Sequence, residues 1–270
     1  MDQDRIRAYY ASKIEKDRLN LDHFRLEGIR TKEIIGRFLG KENLKIIDIG
    51  GGAGFYAFWL QLSGHHVSLV DLSPENVALA HDLAEKHGVA LDYCSVGNAT
   101  DLSFPDNAFD LALLMGPLYH LTQRDERVKA LREVNRVLKP GGIVLAAIIS
   151  RYASLIDGLR RDLIADERFE KMLMEDLRSG IHRNETDNPE YFTTAFFHTP
   201  EAIRNEVAES GLKPEGLIAV EGVGMLVDNL FVKLKEEPYR LGFRKILNTV
   251  ESNEALIALS PHIIAVARKA

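Results

Sequence analysis

Apolar positions along the chain follow two different rhythms, one helical and one alternating. Over residues 1–42 apolar side chains recur every three or four positions, which predicts helices that end near Gly40. From Leu44 onward, short apolar runs alternate with stretches of helical periodicity. These runs predict strands at 44–49, 66–71, 91–95, 109–114 and 142–149, with helices near 54–63, 74–87 and 124–138 between them.

The alternation of strands and helices indicates a parallel sheet with helices on both faces, because right-handed crossovers connect successive parallel strands. The apolar runs LALLM and IVLAAII are uninterrupted, as expected of strands buried on both sides. After Ser150 the pattern loosens, and strand candidates at 213–221 and 262–268 would close the sheet as an antiparallel hairpin. The expected fold is therefore α/β, a doubly wound, mostly parallel sheet of seven strands.

The remaining helical segments predict caps on this core, because no repeat or Pro/Gly-rich linker interrupts the chain. We expect a single domain over 1–270. Its parts are an N-terminal helical cap at 1–42, a core at 43–150, helical cap insertions at 151–198 and 224–258, and the rest of the core sheet at 199–223 and 259–270.

A glycine-rich turn follows the first predicted strand in KIIDIGGGAGFYAFWL, with glycines at Gly50, Gly51, Gly52 and Gly54. Glycine permits torsions and close approaches to the backbone that other residues do not, so a ligand or a tight turn is expected. The pattern from Gly52 to Ala57 also fits a dinucleotide fingerprint, which alone is not specific. Asp48 and Asp71 would stand at the carboxyl edge of the sheet, where open parallel sheets bind ligands.

Four motifs between Lys45 and Ser150 resemble the class I S-adenosylmethionine-dependent methyltransferases. In order, they are IIDIGGGAG, the acidic VDLS, GNATDLSFPDNAFD and LREVNRVLKPGGIV. GPLYHL, after the fourth strand, is similar to a bacterial small-molecule branch of that family. The resemblance implies a Rossmann-like methyltransferase fold, S-adenosyl-L-methionine as the cofactor of the core at 43–150, and methyl transfer to an acceptor.

The resemblance also implies which residues contact the cofactor. The glycine turn would lie against the methionyl part, ordered by Asp48, while Asp71 would hold the ribose hydroxyls. Asn98 stands where the family commonly has aspartate, and it would accept a hydrogen bond from the adenine. The implied contacts are Tyr10, Asp48, Gly50, Gly51, Gly52, Asp71, Leu72, Asn98, Ala99, Met115 and Gly116. The alternatives are a capping or salt-bridge role for Asp71, loop ordering by Asn98 and core packing by Tyr10.

Methyl transfer from a sulfonium is an in-line displacement that depends mainly on positioning, so no metal is expected. A general base is needed only if the acceptor must lose a proton. Tyr119 and His120 are the catalytic candidates, and packing under the cap is the alternative for His120. The aromatic stretch PEYFTTAFFHTP would line an acceptor pocket or fasten the cap. Met172 and Met174 are expected in that seam, and Arg30 at a cofactor carboxylate or on a solvated helix face.

Composition narrows the acceptor and the setting. The 270-residue chain has a net charge of −6, which argues against a nucleic-acid or anionic-membrane binder and favours a small-molecule acceptor. Cys94 is the only cysteine, so no disulfide can form within the chain, as fits a reducing compartment. The charged start is unlike a signal peptide, and no apolar run approaches the ~20 residues of a membrane span. We expect a cytoplasmic protein, whose oligomeric state the sequence leaves open.

Two alternative functions share part of this pattern. An NAD(P)-dependent oxidoreductase would use the Gly52–Ala57 pattern and Asp71, but it has no need for PDNAFD or LKPGG. A non-catalytic S-adenosylmethionine-binding protein would carry all four motifs, because methyl transfer requires no fixed catalytic signature.

Overall fold

The computed structural model describes residues 25–40, 42–186, 188 and 191–270, so the predicted cofactor contact Tyr10 lies outside the described residues. The strands are β1 Lys45–Ile49, β2 His66–Asp71, β3 Tyr93–Val96, β4 Phe109–Leu114, β5 Leu138–Ser150, β6 Ile181–His182, β7 Ala195–His198, β8 Leu212–Ala219 and β9 His262–Lys269. The α-helices are α1 Arg25–Gly36, α2 Phe55–Leu62, α3 Pro74–His87, α4 Pro117–His120, α5 Arg124–Val137, α6 Ala153–Arg160, α7 Glu167–Ser179, α8 Pro200–Glu209, α9 Leu230–Lys233 and α10 Glu237–Val250. Short 3₁₀ segments cover Leu163–Ala165, Gly222–Leu226 and Ile257–Leu259.

The first five strands run parallel in the order β3-β2-β1-β4-β5. β9 pairs antiparallel with β5, from Ile143 opposite Arg268 to Ile149 opposite His262, and β8 pairs antiparallel with β9. This confirms the doubly wound, mostly parallel sheet and its closing hairpin. Because the strand order reverses between β1 and β4, the carboxyl edge opens into a crevice at that point.

β6 and β7 form a short addition to the sheet at the carboxyl end of β5. β7 runs parallel to β5, with Ile149 opposite Phe197 and Ser150 opposite His198, and β6 pairs antiparallel with β7. The prediction of seven strands omitted this pair, which lies within the predicted helical cap insertion at 151–198 and brings the sheet to nine strands among the described residues. Pairing is possible because β4 ends opposite Ala146, which leaves one side of the last β5 residues open to another strand.

Helices cover both faces of the sheet and bury two apolar layers. On one face, α5 and α8 contribute Leu131, Val134 and Val207 to the core. On the other, α1 and α2 contribute Ile35 and Leu60. Among the described residues, no helix combines the length and apolar character that a membrane span would need.

Two of the four sequence motifs hold each other in place. Glu133 on α5 accepts a hydrogen bond from the amide of Leu102 (2.8 Å), and Arg136 donates to the carbonyls of Leu102 (2.7 Å) and Phe104 (2.6 Å). The bond to Arg136 lowers the pKa of Glu133, which keeps this carboxylate ionised. These motif residues therefore fix the loop that begins at Asn98.

Two predictions about single residues are wrong. Met174 is 61% exposed and lies outside the seam that Met172 joins, because positions two apart on a helix point about 200° apart. Arg30 is only 2% exposed, so it lies neither on a solvated face nor open to a cofactor carboxylate. Its guanidinium donates to the carbonyl of Val220 (3.3 Å) and pairs with Glu251 (2.5 Å), which ties α1 to the end of α10.

Candidate active site

The glycine turn after β1 is held by the end of β2. The amides of Gly50 and Gly51 donate to the carbonyl of Val70 (2.7 and 3.3 Å), and the amide of Gly52 donates to Asp71 Oδ2 (2.8 Å). Gly50 and Gly52 have φ angles of +69° and +57°, in the left-handed region that glycine adopts without a steric penalty. The turn is thereby fixed at the carboxyl edge of the sheet.

The three glycines have different surroundings. A Cβ at Gly50 would lie 2.6 Å from Pro117 Cδ, and a Cβ at Gly51 would lie 2.7 Å from Asp48 Oδ2. A Cβ at Gly52 would meet nothing within 4 Å. Gly50 and Gly51 are therefore close-packed positions, whereas Gly52 faces open space.

Asp48 is a fully buried carboxylate directly beneath the turn. Neither of its oxygens has a hydrogen-bond partner among the described residues. Burial and the negative charge of Asp71 raise the pKa of Asp48 to about 7, against the opposing effect of the Ala57 amide. A buried carboxylate without a partner is costly, so this environment would favour a cationic ligand group nearby.

Asp71 is fixed by three hydrogen bonds. Its Oδ1 accepts from the amide of Ser73 (2.9 Å) and from Asn76 Nδ2 (3.1 Å), and its Oδ2 accepts from the Gly52 amide (2.8 Å). Asp71 therefore supports the start of α3, although the N-cap of that helix is Ser73 and not Asp71. A carboxylate oxygen can accept two hydrogen bonds, so Oδ2 keeps capacity for a hydroxyl group. The ribose contact stays a prediction.

The predicted adenine contacts follow β2 and β3 at the same edge. Leu72 is half-buried, Ala99 is buried and Asn98 is exposed. Asn98 Oδ1 accepts from the amide (3.0 Å) and from the hydroxyl (3.1 Å) of Thr100, which is the loop-ordering role considered as its alternative. An adenine contact through Asn98 also stays a prediction.

The segment after β4 lies directly against the glycine turn. A Cβ at Gly116 would be 3.4 Å from the carbonyl oxygen of Gly50. The hydroxyl of Tyr119 donates to the carbonyl of Met115 (2.9 Å), and the His120 ring lies 4.6 Å from the Tyr119 ring. The structure therefore brings these predicted residues together, although a catalytic role for Tyr119 or His120 stays a prediction.

The aromatic stretch is mainly a packing seam. Tyr191 packs with Met172 in one apolar cluster, and Phe197 packs with Tyr119 in another. Phe192 is half-buried, and its ring lies 6.2 Å from the ring of His120. The seam interpretation is confirmed for Tyr191 and Phe197, whereas an acceptor-lining role stays a prediction for Phe192.

Sequence reasoning missed a buried charge network beside this seam. Arg127 on α5 is 2% exposed and donates to Glu206 on α8 from Nη2 (2.7 Å) and Nε (3.1 Å). Its Nη1 donates to the carbonyls of Leu121 (2.9 Å) and Thr122 (3.0 Å), which follow α4. His198 Nε2 lies 3.2 Å from Glu206 Oε2. The network therefore ties the segment after α4 to α8 and β7.

The hydrogen bonds of this network favour the ionised form of Glu206. Burial alone would raise the pKa of Glu206, but its bonds to His198 and Arg127 lower it. Burial lowers the pKa of His198, against the effect of Glu206. No local sequence signal could identify the network, because Arg127 and Glu206 stand in different helices far apart in the chain.

A second buried pair holds the start of the aromatic stretch. Asp176 Oδ2 accepts from the hydroxyl of Ser154 (2.7 Å) and lies 2.9 Å from His182 Nδ1. The other ring nitrogen of His182 lies 2.6 Å from the carbonyl oxygen of Tyr191. The His182 ring is therefore held between α7 and the main chain of the aromatic stretch.

Glu27, Glu221 and His262 form the group whose side-chain chemistry suits a divalent metal ion. Their ligand atoms lie within 4.8 Å of one another. Glu221 Oε1 lies 2.6 Å from His262 Nδ1, and its other oxygen accepts from the hydroxyl of Ser260 (3.0 Å). Glu221 therefore already has protein partners.

Comparisons with known proteins agree with this geometry. Residues 47–146 match a family model described as a methyltransferase domain. The chain is 34% identical over 129 residues to the ubiquinone biosynthesis O-methyltransferase of Methylocella silvestris, covering 48% of each chain. It is 37% identical over 111 residues to the ubiquinone/menaquinone biosynthesis C-methyltransferase of Vibrio cholerae, covering 40% of this chain and 42% of that one.

The similarity to solved structures extends further along the chain than the sequence similarity does. A SAM-dependent methyltransferase from Methanosarcina mazei superposes with a TM-score of 0.58 and 21% identity, covering 87% of this chain and 96% of that one. This shows a shared fold. By sequence, in contrast, the chain spans about half the length of the curated relatives it matches.

Proposed function

We propose that this protein, whose residues 47–146 match a family model described as a methyltransferase domain, is a class I S-adenosylmethionine-dependent methyltransferase that transfers a methyl group to a small-molecule acceptor. The observation that carries the proposal is the glycine turn bonded to Asp71 at the carboxyl edge, within the matched residues. There the main chain and one fixed carboxylate can hold an amino-acid tail and a sugar side by side. The two alternative functions have no observation in their favour.

The residues at the edge fit the cofactor. The partnerless carboxylate of Asp48 suits the cofactor's ammonium group nearby, and the open space above Gly52 suits its methionyl tail. Asp71 would hold the ribose. Leu72, Asn98 and Ala99 would surround the adenine, and Met115, Gly116 and the two close-packed glycines, Gly50 and Gly51, would line the rest. Tyr10 remains a proposed contact from the undescribed N-terminal stretch.

The cofactor supplies a methyl group on a sulfonium, which is already activated for displacement. The contribution of the chain is to align acceptor, methyl carbon and sulfur, for which effective-molarity arguments allow ~7–11 kcal/mol. The helical caps proposed around the core would exclude water from this step. A cytoplasmic setting would provide the cofactor.

The acceptor is proposed to be a small aromatic molecule, since both curated relatives act, by name, in ubiquinone biosynthesis. One of them is named an O-methyltransferase and the other a C-methyltransferase, so their names share ubiquinone biosynthesis but not the acceptor atom. His120 closes the short helix α4, whose first residue, Pro117, lies against Gly50. The His120 ring lies 6.2 Å from the ring of Phe192. These two rings supply aromatic surface on which such a ring could pack.

His120 is the proposed general base if the acceptor is a phenol. The variant His120→Ala should then lose about 10²–10⁴-fold in kcat. Tyr119→Phe should have a smaller effect, because the Tyr119 hydroxyl is already bonded to the main chain. Undiminished turnover in the His120 variant would remove the base role and leave positioning as the whole mechanism.

A labelling experiment tests the proposed function. The protein is incubated with methyl-labelled S-adenosylmethionine and the low-molecular-weight fraction of a bacterial extract, and labelled products are separated by chromatography. Wild type should label a small product, and Asp71→Ala should not, while Asp82→Ala, at an exposed acid on α3, should behave as wild type. Tight S-adenosylhomocysteine binding with no labelled product would instead favour the non-catalytic alternative.

A further inference from the structure

Arg151 follows directly after β5 and differs from the other inward-facing arginines. Every other arginine that is buried or half-buried in the described part of the chain pairs with a glutamate: Arg30, Arg127, Arg136, Arg204 and Arg268. Arg151 is half-buried and forms no ion pair there. A half-buried charge without a counter-ion is unfavourable, so a role outside the protein's own packing is indicated.

The guanidinium of Arg151 is nevertheless held in a defined position. Its Nε donates to the carbonyl of Phe197 (3.0 Å), while its amide donates to the carbonyl of His198 (2.8 Å). A Cβ at Gly180 would lie 2.5 Å from Nη2, so only glycine leaves room for the group. The Nε bond is its single side-chain hydrogen bond among the described residues, which leaves the donors on Nη1 and Nη2 for another partner.

Asp176 acts on Arg151 electrostatically, but no hydrogen bond or ion pair joins the two among the described residues. Asp176 Oδ2 is bonded to Ser154 and His182, and its Oδ1 has no hydrogen-bond partner among those residues. Burial, the largest influence, lowers the pKa of Arg151. Arg127, which stacks on the same Phe196 ring, is neutralised by Glu206. Of these two arginines, only Arg151 therefore offers positive charge to a ligand.

The position of Arg151 separates it from the proposed cofactor site. β5 is parallel to β1, so Arg151 stands at the same carboxyl edge as the glycine turn. β4 lies between β1 and β5, so the axes of these two strands are about 10 Å apart at the usual spacing of strands. Ala146 on β5 is level with Leu114 at the end of β4, so Arg151 also lies further along the strand direction than the glycine turn. A group bound by the guanidinium of Arg151 would thus belong to the acceptor and not to the cofactor's amino-acid tail.

We infer that Arg151 is a recognition residue for an anionic group, a carboxylate or a phosphate, on the methyl acceptor. A planar guanidinium with two unpaired Nη groups suits bidentate binding of such an oxyanion. The inference rests on the proposed function, because it assigns the ligand to the acceptor. It restricts the proposed acceptor to small aromatic molecules that also carry a carboxylate or a phosphate.

Binding of simple probes to the complex with S-adenosylhomocysteine tests the inference without a known acceptor. Benzoate and phenyl phosphate are the carboxylate and phosphate probes, and benzamide is the neutral counterpart of benzoate. In calorimetric titrations, wild type should bind at least one anionic probe about tenfold or more tightly than benzamide. Arg151→Met should remove that preference, and Arg151→Lys should keep part of it.

Arg160→Met is the matched control, because it removes the same charge from an exposed position on α6. It should bind the probes as wild type does. Equal binding of all probes by wild type, or a preference that persists in Arg151→Met, would overturn the inference. A tenfold loss of S-adenosylhomocysteine affinity in Arg151→Met, with probe binding unchanged, would also overturn it by assigning Arg151 to the cofactor.

A separate measurement, the binding of S-adenosylhomocysteine by wild type, tests the proposed function itself. If S-adenosylhomocysteine does not bind wild type, the proposed function fails. The same probe titrations without the nucleoside then still report on anion binding by Arg151, although the anion could no longer be ascribed to a methyl acceptor.

Discussion

At the ends of β1 and β2 the fold presents main-chain amides and small residues, whereas at the end of β5 it presents charged side chains. In the first region, the amide of Gly52 is bonded to Asp71, and Gly50 lies against Pro117. In the second region, Arg127 is bonded to Glu206, and Arg151 extends over β7. The first region would recognise groups common to every reaction of the cofactor, and the second would recognise a particular acceptor.

This difference predicts how each region should respond to single substitutions. A main-chain turn needs glycine at fixed positions, so substitutions there act through sterics and torsion angles. A charge network needs complete partners, so removal of one member leaves another charge buried. The two regions should therefore fail in different ways when single residues are changed.

The largest expected effect is on folding, from Arg127→Ala in the charge network. The variant leaves Glu206 buried beside His198 without its guanidinium, which should cost about 3–5 kcal/mol of unfolding free energy. Urea unfolding at neutral pH measures this value. The exposed Arg160→Ala should change it by less than about 0.5 kcal/mol, and a similar result for Arg127→Ala would show that the network does not support the fold.

A pH dependence should arise in the other region, from Asp48. Its pKa of about 7 in the folded protein lies above the ordinary value, so the folded state retains a proton that the unfolded chain releases. The contribution of Asp48 to stability should be complete below about pH 4 and should be lost progressively as pH rises to about 7, by roughly 4 kcal/mol in all. Asp48→Asn should flatten this part of the stability profile, measured by urea unfolding from pH 5 to 8.

The matched control for that profile is Asp82→Asn, at an exposed acid on α3. It should retain the wild-type slope. An unchanged slope in Asp48→Asn would mean that Asp48 is ionised in the folded protein at low pH, contrary to its partnerless burial.

Cofactor affinity should depend strongly on Asp71. Loss of a buried charge-assisted bond in Asp71→Ala should weaken S-adenosylhomocysteine binding by roughly 2–3 kcal/mol, about 30- to 150-fold. Calorimetry on the folded variant measures the change, with Asp82→Ala as the control of equal charge. Affinity within a factor of three of wild type would separate Asp71 from the nucleoside.

The smallest effect expected in this series is steric, at Gly50. Alanine there would approach Pro117 and would adopt a φ of +69°, so Gly50→Ala should lose about 1–3 kcal/mol of stability. Gly36→Ala, where a Cβ meets nothing within 4 Å, should be neutral or stabilising by up to about 1 kcal/mol. Equal thermal stability of the two variants would show that the turn after β1 can shift away from α4.

The sequence predicted the first region well because its parts are local. Asp48, the glycines and Asp71 stand at the ends of consecutive strands, so the strand pattern alone brings them to one edge. Helix α3 also spans the predicted residues 74–87, because its boundaries are set locally by the N-cap Ser73 and by Gly88 in the left-handed conformation.

The second region escaped prediction because its partners are distant in the chain. No residue near Arg127 in the sequence indicates that Glu206 is its partner. The same holds elsewhere in the fold for Arg30 on α1 and its partner Glu251. Helical periodicity could not place these arginines inside, because a charged residue is predicted to be solvated until its counter-ion is known. The pairing of β7 with β5 was missed for the same reason, since it depends on where β4 ends.

Calorimetric titration of the folded protein with S-adenosylmethionine, S-adenosylhomocysteine and NAD shows whether the glycine turn and Asp71 bind a sulfur nucleoside. Both sulfur nucleosides should bind at one site per chain, and NAD should give no heat of binding. Tight binding of NAD, with no heat from either sulfur nucleoside, would rule out this assignment of the site.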